Sequence, residues 1–422
     1  MSATIAHSAH PDADAAAWRR RLHDTPECWQ HGLELRRALL AGYHYPDCDP
    51  AFRASTRHMP DDVWLAHYRD LALFHPADLA ELRARAERLL AEGADAAALH
   101  GLLSHIATQQ KDYAAAAAHL ALSDAPDRAT RGAALAVYRH MAEWIGRAPE
   151  SGPSYAVAVI NLDRNPERLA ELRRGFSRSA PPLHRIPGVL GSALPDSEMR
   201  RLGGDPGMRG TLGCFLSHVA AWRWMLASGL SHCLVVEDDV VALLDLPARL
   251  GVLNLPPEFD VCFVNDRLQP ALARTAGFEA VPLARALQDF APDANAPGAD
   301  GYLITASGAR RLLAWVGADG CADDVDWRLL AYSLSDRACA ALPRPSVLWD
   351  RLDELRRQVP RPDRLESWVL FPALIRTVGL TSDRCDENRR GEAASPDTDL
   401  SESKAGLCPD PPGASRPWTG FT

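Results

Sequence analysis

The chain has 422 residues, of which 47% are hydrophobic and 24% charged, and its formal net charge is −9. This composition is typical of a globular protein with two or three domains, and the negative charge argues against a nucleic-acid partner. We expect no transmembrane segment, because no apolar run reaches 18 residues, and no secretory signal. Nine cysteines without a Cys-x-x-Cys pair predict reduced thiols and a cytoplasmic location.

The first part of the chain, residues 1–150, is predicted to be all-α, since it is rich in Ala, Leu and Arg and has no strand-like alternation. Segments 62–66 and 96–100 align at a spacing of about 34 residues, and 109–116 resembles the turn and second helix of a tetratricopeptide repeat. Ala-rich helices imitate such periods. A repeat-like domain and an irregular helical bundle therefore both stay open.

Turn-forming residues at 148–153 separate these helices from a second domain, predicted to span residues 151–384. Its predicted strands lie near 155–162, 232–236, 260–264 and 301–305, and its predicted helices near 166–178, 213–228 and 307–316. This alternation is typical of an α/β fold with a mostly parallel sheet. The last segment, 385–422, has few large apolar residues and is predicted to be a disordered tail.

Three consecutive carboxylates, Glu237, Asp238 and Asp239, follow the strand predicted at 232–236. The carboxyl ends of strands face the ligand crevice in open α/β sheets. If the strand continues, side-chain alternation puts Glu237 and Asp239 on one side, where they can share an ion. Oxygen ligands of this kind suit Mn²⁺ or Mg²⁺. A solvated acidic turn is the alternative for the triplet alone.

Several motifs occur in a fixed order around this triplet. They are YAVAVINLDRNPER at 155–168, GCFLSH at 213–218 followed by Ala221-Trp222, LVVEDDV at 234–240, GYLI at 301–304, and Val325-Asp326. Together they resemble glycosyltransferase family 25, the lipopolysaccharide and collagen galactosyltransferase type. The resemblance implies a GT-A-like nucleotide-sugar-binding domain, a UDP-hexose donor such as UDP-galactose, and inversion at the anomeric carbon. Thr211 stands where the family commonly has Glu.

The loop after the first predicted strand is a candidate donor site. In this loop Asn161, Asp163 and Arg164 can bind uracil and ribose, while Arg164 or Arg168 meets a phosphate oxygen. The alternative is a loop held by caps and salt bridges, and the residue types alone do not favour either. The family resemblance favours the donor site.

The helix predicted at 213–228 supplies further donor candidates. Ser217 can touch a phosphate or bond back to the preceding turn of its own helix. His218 shares an apolar face with Phe215 and Trp222, which fits either a donor contact or a buried core histidine. Asp238 is assigned to the donor, on the side of the strand opposite the metal. Cys214 has no base at a spacing typical of thiol catalysis and is predicted to pack.

An inverting transferase needs a base on the acceptor side of the sugar, and Asp326 is the first candidate. It matches the acidic dipeptide of the family, and Asp323 and Asp324 should raise its proton affinity by repulsion. Trp327 beside it is suited to stacking on a sugar. Alternatively, Asp326 caps a helix, and Asp266 after the strand near 260–264 is then the base.

The sequence thus predicts a metal-assisted transferase of a hexose from a UDP-sugar to a glycan such as lipopolysaccharide, or to a protein acceptor recruited by the helical domain. Two other classes stay open. An inactive, transferase-like binding protein would keep the fold, and Thr211 points that way. A sugar nucleotidyltransferase would need a Gly-rich phosphate loop, but after Ile160 the chain has no glycine before Gly175.

Overall fold

The computed structural model describes residues 11–41, 49–69, 71, 74–147, 150–268, 277–288, 298–321, 323–343 and 346–377. Within these ranges the chain divides into two compact units between Ala136 and Val137. The predicted boundary at 150/151 therefore lies some residues after this division and stays a prediction. The predicted tail, 385–422, lies outside the described residues.

The first unit is helical, as predicted. Its helices are α1 (Pro11–Asp24), α2 (Trp29–Ala41), α3 (Pro50–Thr56), α4 (Asp61–Tyr68), α5 (Leu79–Ala91), α6 (Ala96–Gln109) and α7 (Tyr113–Ala121), and α8 (Arg128–Arg147) continues across the division. The helix starts follow local chemistry, because the side chains of Asp49, Asp95 and Asp112 accept backbone N–H groups at the starts of α3, α6 and α7. Apolar side chains from α1 to α6 form its core.

Helices α6 and α7 form a helix–turn–helix at the place where a repeat motif was predicted. The turn contains Lys111 at a positive φ of 61°, and the Asp112 side chain accepts the N–H of Ala115. The aligned segments 62–66 and 96–100 lie in helices of unequal length, since α4 has 8 residues and α6 has 14. The repeat-like interpretation stays a prediction.

The second unit is an α/β domain built on a seven-stranded sheet. The strands of this unit are β1 (Ala156–Asn161), β2 (Leu183–Pro187), β3 (His232–Glu237), β4 (Val240–Ala242), β5 (Val261–Phe263), β6 (Glu279–Pro282), β7 (Gly301–Thr305), β8 (Ser367–Phe371) and β9 (Ile375–Thr377). Strands β4 and β9 form a separate two-stranded sheet. The sheet order is β2-β1-β3-β7-β5-β8-β6. Five strands point one way and only β6 and β7 run opposite. The mostly parallel sheet is confirmed.

The helices of this unit lie between the strands along the chain. They are α9 (Pro166–Gly175), α10 (Asp196–Arg201), α11 (Arg209–Ala227), α12 (Leu283–Ala286), α13 (Ala306–Asp319), α14 (Val325–Ser333), α15 (Asp336–Ala340) and α16 (Val347–Gln358). Helix α11 packs on β1, β2 and β3 through buried side chains that include Phe215, Val219 and Trp222. Gly229 follows its end at a positive φ of 67°, the conformation in which glycine commonly ends helices.

The four predicted strands exist, but five others were missed. Strands β4 and β9 have three residues each and pair with one another although well over a hundred residues separate them along the chain. Strand β8 pairs with β5 and β6 in a region for which no strand was predicted. Such pairings depend on tertiary context rather than on a local pattern.

The order of the central strands places the candidate site. Strand β1 has β2 on one side and β3 on the other, both parallel to it, so the strand order reverses beside β1. Ligand crevices of open α/β sheets lie outside the carboxyl ends of strands at such a reversal. In the register of β1 with β3, Ile160 lies opposite Glu237. Asn161 and the acidic triplet therefore meet at one sheet edge.

The two longest helices of the described ranges are α8 with 20 residues and α11 with 19. Helix α8 contains four arginines and a glutamate, and α11 packs its apolar side chains on the sheet. Across the described residues, no helix combines the length and the apolar character needed to cross a membrane.

Candidate functional site

The acidic triplet lines a cleft at the carboxyl ends of β1 and β3. Strand β3 ends at Glu237, and Asp238 and Asp239 form a turn before β4. The alternation argument for Glu237 and Asp239 was therefore wrong in its premise, because the extended backbone does not continue. All three carboxylates nevertheless face the same cleft, whose volume is about 630 Å³ including the open space at its mouth. Its other walls come from the end of β1, residues 188–191 and the start of α11.

Asp238 is fixed by the loop after β1. Its Oδ2 accepts a hydrogen bond of 2.7 Å from Nδ2 of Asn161, and its Oδ1 lies 3.5 Å from a guanidinium nitrogen of Arg168. The amide of Asn161 also donates to the carbonyl of Asn165 and accepts from Arg185. Asn161 is 2% exposed, so it is a buried connector between β1 and the triplet, with its amide engaged inside the protein.

One carboxylate oxygen of Asp239 is enclosed by the protein and accepts no hydrogen bond from the residues described. Within the described part of the chain, its Oδ1 is shielded from solvent and has no hydrogen-bond partner, although the residue as a whole is only half-buried. Burial, together with the charges of Glu237, Asp238 and Asp300, raises the pKa of Asp239 to about 8. An oxygen in this environment fits a divalent cation, which supplies both the missing partner and the opposite charge.

Glu237 is held from the other side by a chain of aromatic and imidazole groups. Nε2 of His218 lies 3.4 Å from its Oε1, and Nδ1 of His218 lies 2.9 Å from the hydroxyl of Tyr302. That hydroxyl accepts the indole N–H of Trp222 at 2.8 Å. One neutral tautomer satisfies the whole chain, with Tyr302 donating to Nδ1 and Nε2 donating to Glu237. His218 is fully buried and outside the cleft lining, and its contact with a donor stays a prediction.

Ser217 adopts the structural alternative considered from the sequence. Its hydroxyl donates to the carbonyl of Gly213 at 2.7 Å and accepts the N–H of Val189 at 2.8 Å. The hydroxyl thus ties residues 188–191 to α11. Gly213 allows this approach, because a Cβ there would lie 2.6 Å from the carbonyl oxygen of Val189 and 2.8 Å from the nitrogen of Gly191. Ser217 shapes the cleft wall that it lines.

The remaining loop candidates lie at the surface. Asp163 and Arg164 are both exposed, and Asp163 forms an ion pair with Arg185. Arg185 also donates to the side-chain and backbone oxygens of Asn161. The loop is therefore braced by Arg185, which the sequence analysis did not single out. Of the loop residues proposed for the donor, Asn161 and Arg168 line the cleft, whereas Asp163 and Arg164 are outside its lining.

A second acidic cluster lies beside the triplet, and its central residue, Asp300, was missed from the sequence. Asp300 is 3% exposed, and its carboxylate accepts a hydrogen bond of 2.6 Å from Arg267 and others from Asn265 and Thr377. Its backbone carbonyl accepts the N–H of Glu237 at 3.2 Å. Asp300 raises the pKa of Arg267 above its ordinary value and acts electrostatically on Asp239. Asp300 lies just before β7, at a position with no local sequence signal.

Both candidate bases belong to this second cluster. Asp266 lies 3.7 Å from Arg376, and burial raises its pKa to about 6, with Asp300 acting in the same direction. Oδ1 of Asp326 accepts the backbone N–H of Ala299 at 3.1 Å, and its charge contributes to the raised pKa of Arg267. Asp326 is outside the cleft lining, and it lies in the first turn of α14 rather than at its cap.

Two arguments made for Asp326 find no support in the structure. Asp323 forms an ion pair with Arg328 at 3.2 Å and Asp324 one with Arg351 at 3.4 Å, so the charges expected to repel Asp326 are compensated. Trp327 is 6% exposed and packs in the core, which leaves no face for a sugar. The helix cap is Asp324, whose side chain makes no capping hydrogen bond.

Cys214 does more than pack. Its Sγ lies 3.9 Å from Oε1 of Glu237, and the sulfur, a nitrogen of His218 and a carboxylate oxygen of Glu237 all lie within 4.8 Å of one another. The two helix residues are one turn apart on α11, a relation that the sequence contains. The partner carboxylate on β3 is visible only in the folded chain.

Fold and site together define a GT-A-like α/β domain with an acidic cleft at the switch point of its sheet. Residues 155–324 match the family model described as glycosyltransferase family 25 (LPS biosynthesis protein). The resemblance inferred from the motifs is thereby confirmed for this segment.

Individual relatives agree with the family match. A glycosyltransferase 25 family member of Aedes aegypti is 29% identical over 180 residues, which cover 37% of this chain and 27% of the relative. Procollagen galactosyltransferase 1 of Danio rerio is 34% identical over 96 residues, or 20% of this chain and 16% of the relative. A human protein named inactive glycosyltransferase 25 family member 3 is 35% identical over 96 residues, with the same coverage. The matched region is about a quarter or less of each relative's length.

Proposed function

We propose that the second domain is a glycosyltransferase that moves a hexose, with galactose as the first candidate, from a UDP-sugar to an acceptor hydroxyl with inversion. The observation that carries this proposal is the cleft at the switch point, where the oxygen of Asp239 is enclosed without a partner. The family match over residues 155–324 supports the reaction class. We propose a glycan such as lipopolysaccharide, or a protein, as acceptor, recruited by the helical domain.

Glu237 and Asp239 are the residues that we assign to a Mn²⁺ or Mg²⁺ ion, with the donor's diphosphate completing its shell. Such an ion, when bound, neutralises charge on the departing diphosphate. His218 holds the Glu237 carboxylate in place through Nε2. Asn161 and Arg168 hold Asp238, and Arg168, which lines the cleft, is the cation that we assign to a phosphate oxygen.

We assign Asp266, in preference to Asp326, as the base that takes the proton of the acceptor hydroxyl. A pKa of about 6 keeps Asp266 ionised at neutral pH while giving it more basicity than an ordinary aspartate. Asp326 instead holds the segment that leads into Asp300, through its bond with the N–H of Ala299. On this assignment Asp266 takes the proton as the acceptor oxygen attacks, and Asp326 is a positioning residue.

A transferase-like binding protein without activity is the second candidate, because matched relatives from human, mouse and rat carry the word inactive in their names. The two candidates differ in turnover. Transferases of this kind commonly leak donor to water, so a hydrolysis screen needs no acceptor.

The screen uses the full chain with UDP-, GDP- and CDP-sugars, each with Mn²⁺ and with EDTA. The transferase proposal predicts Mn²⁺-dependent release of UDP, fastest with UDP-galactose, and its loss in Asp239→Asn. Asp363→Asn is the matched control, because that carboxylate is exposed and outside the cleft lining. Binding of UDP-sugar without any turnover favours the inactive protein, and turnover equal in Asp239→Asn and wild type removes the metal assignment.

A further inference from the structure

A group of softer metal ligands lies on the α11 side of Glu237. Cys214, His218 and Glu237 each offer one ligand atom, and these atoms lie within 4.8 Å of one another. We propose that this Cys-His-Glu cluster binds a thiophilic divalent cation, Zn²⁺ in the first place. The inference rests on the geometry of the three side chains and holds or fails independently of the proposed transferase activity.

The distances in the cluster are close to those of a zinc site. Zinc bonds of about 2.3 Å to sulfur and about 2.0–2.2 Å to nitrogen and oxygen, at tetrahedral angles, separate nitrogen from oxygen by about 3.4 Å and sulfur from oxygen by about 3.6 Å. The structure has 3.4 Å between Nε2 of His218 and Oε1 of Glu237. It has 3.9 Å between that oxygen and Sγ of Cys214. The sulfur and the imidazole nitrogen lie within 4.8 Å of each other, so these two ligands have to approach for the site to close.

The backbone holds the three ligands on regular elements. Cys214 and His218 are separated by one turn of α11, so their side chains share a helix face. Glu237 is the last residue of β3, and α11 packs on that strand. Sites built on helices and strands are more precise than sites on loops. The backbone that carries the three ligands is therefore already in place before an ion binds.

The other ring nitrogen of His218 also has a hydrogen-bond partner. Metal-bound histidines almost always use the other ring nitrogen to donate a hydrogen bond, and Nδ1 of His218 lies 2.9 Å from the Tyr302 hydroxyl. With Nε2 on an ion, His218 would carry its proton on Nδ1 and donate it to the Tyr302 oxygen, which also accepts from Trp222. The hydroxyl hydrogen of Tyr302 would then turn away from His218. The thiol proton of Cys214 is released to solvent. The ring also stacks on Tyr302, with an interplanar angle of 24°.

Ligand chemistry separates this site from the one assigned to Mn²⁺ or Mg²⁺. Thiolate and imidazole select zinc, whereas carboxylates alone suit harder ions. An ion can enter from the cleft, since Cys214 and Glu237 both line it. Because Glu237 belongs to both sets, the two ions exclude each other, and zinc should inhibit any activity that depends on the acidic triplet.

The test measures Zn²⁺ affinity of the metal-free full chain by competition with a chromophoric chelator, and uses Co²⁺ as a spectroscopic probe of thiolate ligation. Wild type should show a thiolate-to-cobalt charge-transfer band. Cys214→Ser should lack this band. It should also lose more zinc affinity than the loss of about 10–100-fold that follows when a residue supporting a ligand is replaced. Cys28→Ser, a half-buried thiol of the helical unit, is the matched control and should behave as wild type.

Two outcomes overturn the proposal. One is a wild-type cobalt complex without a thiolate band, or a zinc affinity that is equal in Cys214→Ser and wild type. The other is loss of zinc binding in Asp239→Asn, which would put the ion in the acidic triplet. If Asp239→Asn loses Mn²⁺-dependent UDP binding but keeps its zinc affinity, both proposals are supported. UDP binding that ignores Mn²⁺, with zinc still lost in Cys214→Ser, removes only the proposed function.

Discussion

Replacing Asp239 by asparagine should stabilise the metal-free protein at alkaline pH. Burial and neighbouring carboxylates raise the pKa of Asp239 to about 8 in the folded state, whereas an unfolded aspartate titrates near 3.9. Between these values the folded protein binds more protons than the unfolded chain, so the free energy of unfolding falls as pH rises from about 4 to about 8. Asparagine has nearly the same shape and does not titrate, so the variant does not lose this stability as the pH rises.

The size of the effect follows from the shift. A rise of one in pKa corresponds to 1.36 kcal/mol of free energy. The rise of the Asp239 pKa from about 4 to about 8 therefore sets a ceiling of about 5–6 kcal/mol on the loss of stability. Charges in real proteins interact as if through an effective dielectric constant near 20, and we therefore expect about 2–3 kcal/mol at pH 8. For a domain of this size that is a rise of roughly 4–12 °C in Tm.

The assay is thermal unfolding followed by near-ultraviolet circular dichroism, in EDTA, at pH 4 and pH 8. Wild type and Asp239→Asn should nearly coincide at pH 4, where Asp239 is protonated in the folded state and about half protonated in the unfolded chain, and separate at pH 8. Asp238→Asn is the control, and it should destabilise the fold because its carboxylate has partners in Asn161 and Arg168. Equal or lower stability of Asp239→Asn at pH 8 would refute the argument that its charge is uncompensated.

Three further predictions concern the cleft, the base and the helical unit. Gly213→Ala should destabilise the fold by about 1–3 kcal/mol, because its Cβ would overlap the Val189 carbonyl. Gly317→Ala, in open space on α13, should instead stabilise the fold by about 0.5–1 kcal/mol. Urea unfolding measures both free energies. Sugar transfer should rise with pH to a plateau, with a midpoint near 6, since Asp266 must be ionised to accept a proton, and Asp266→Asn should abolish it. Deleting residues 1–127, which leaves α8 whole, should spare UDP-sugar hydrolysis and slow transfer to the acceptor.

Each of these predictions has a contrary result. A Gly213→Ala variant as stable as wild type shows that residues 188–191 can move away from α11 freely. A pH profile without an inflection near 6, or full activity of Asp266→Asn, moves the base to Asp326. Full-rate glycosylation of the natural acceptor by the shortened chain removes the recruitment role of the helices.

Much of the site was predictable because its signals are local. The apolar run of β3 followed at once by the triplet identifies a strand and the edge at which it ends, and the family motifs identify β1 and α11. These features depend on neighbours within a few residues. The cleft walls and the partnership of Asn161 with Asp238 follow once the two parallel strands are placed side by side.

The rest depends on contacts between distant segments. Asp300 holds Arg267 and Thr377, and β9 returns to pair with β4, yet none of these residues has a pattern of its own. Burial decides the chemistry of Asp239 and Asp266, and burial of a charged residue is a property of the folded chain. For the same reason, the sequence indicated packing for Cys214 and could not show Glu237 opposite it.

Calorimetric titration with UDP tests the central claim that the cleft holds a metal-bound nucleoside diphosphate at Asp239. Wild type should bind UDP with Mn²⁺ present and lose most of that affinity in EDTA. Asp239→Asn, shown to be folded by its melting curve, should bind UDP weakly whether or not Mn²⁺ is present. Binding by wild type that is indifferent to Mn²⁺, or Mn²⁺-dependent binding that is unchanged in Asp239→Asn, would contradict the account.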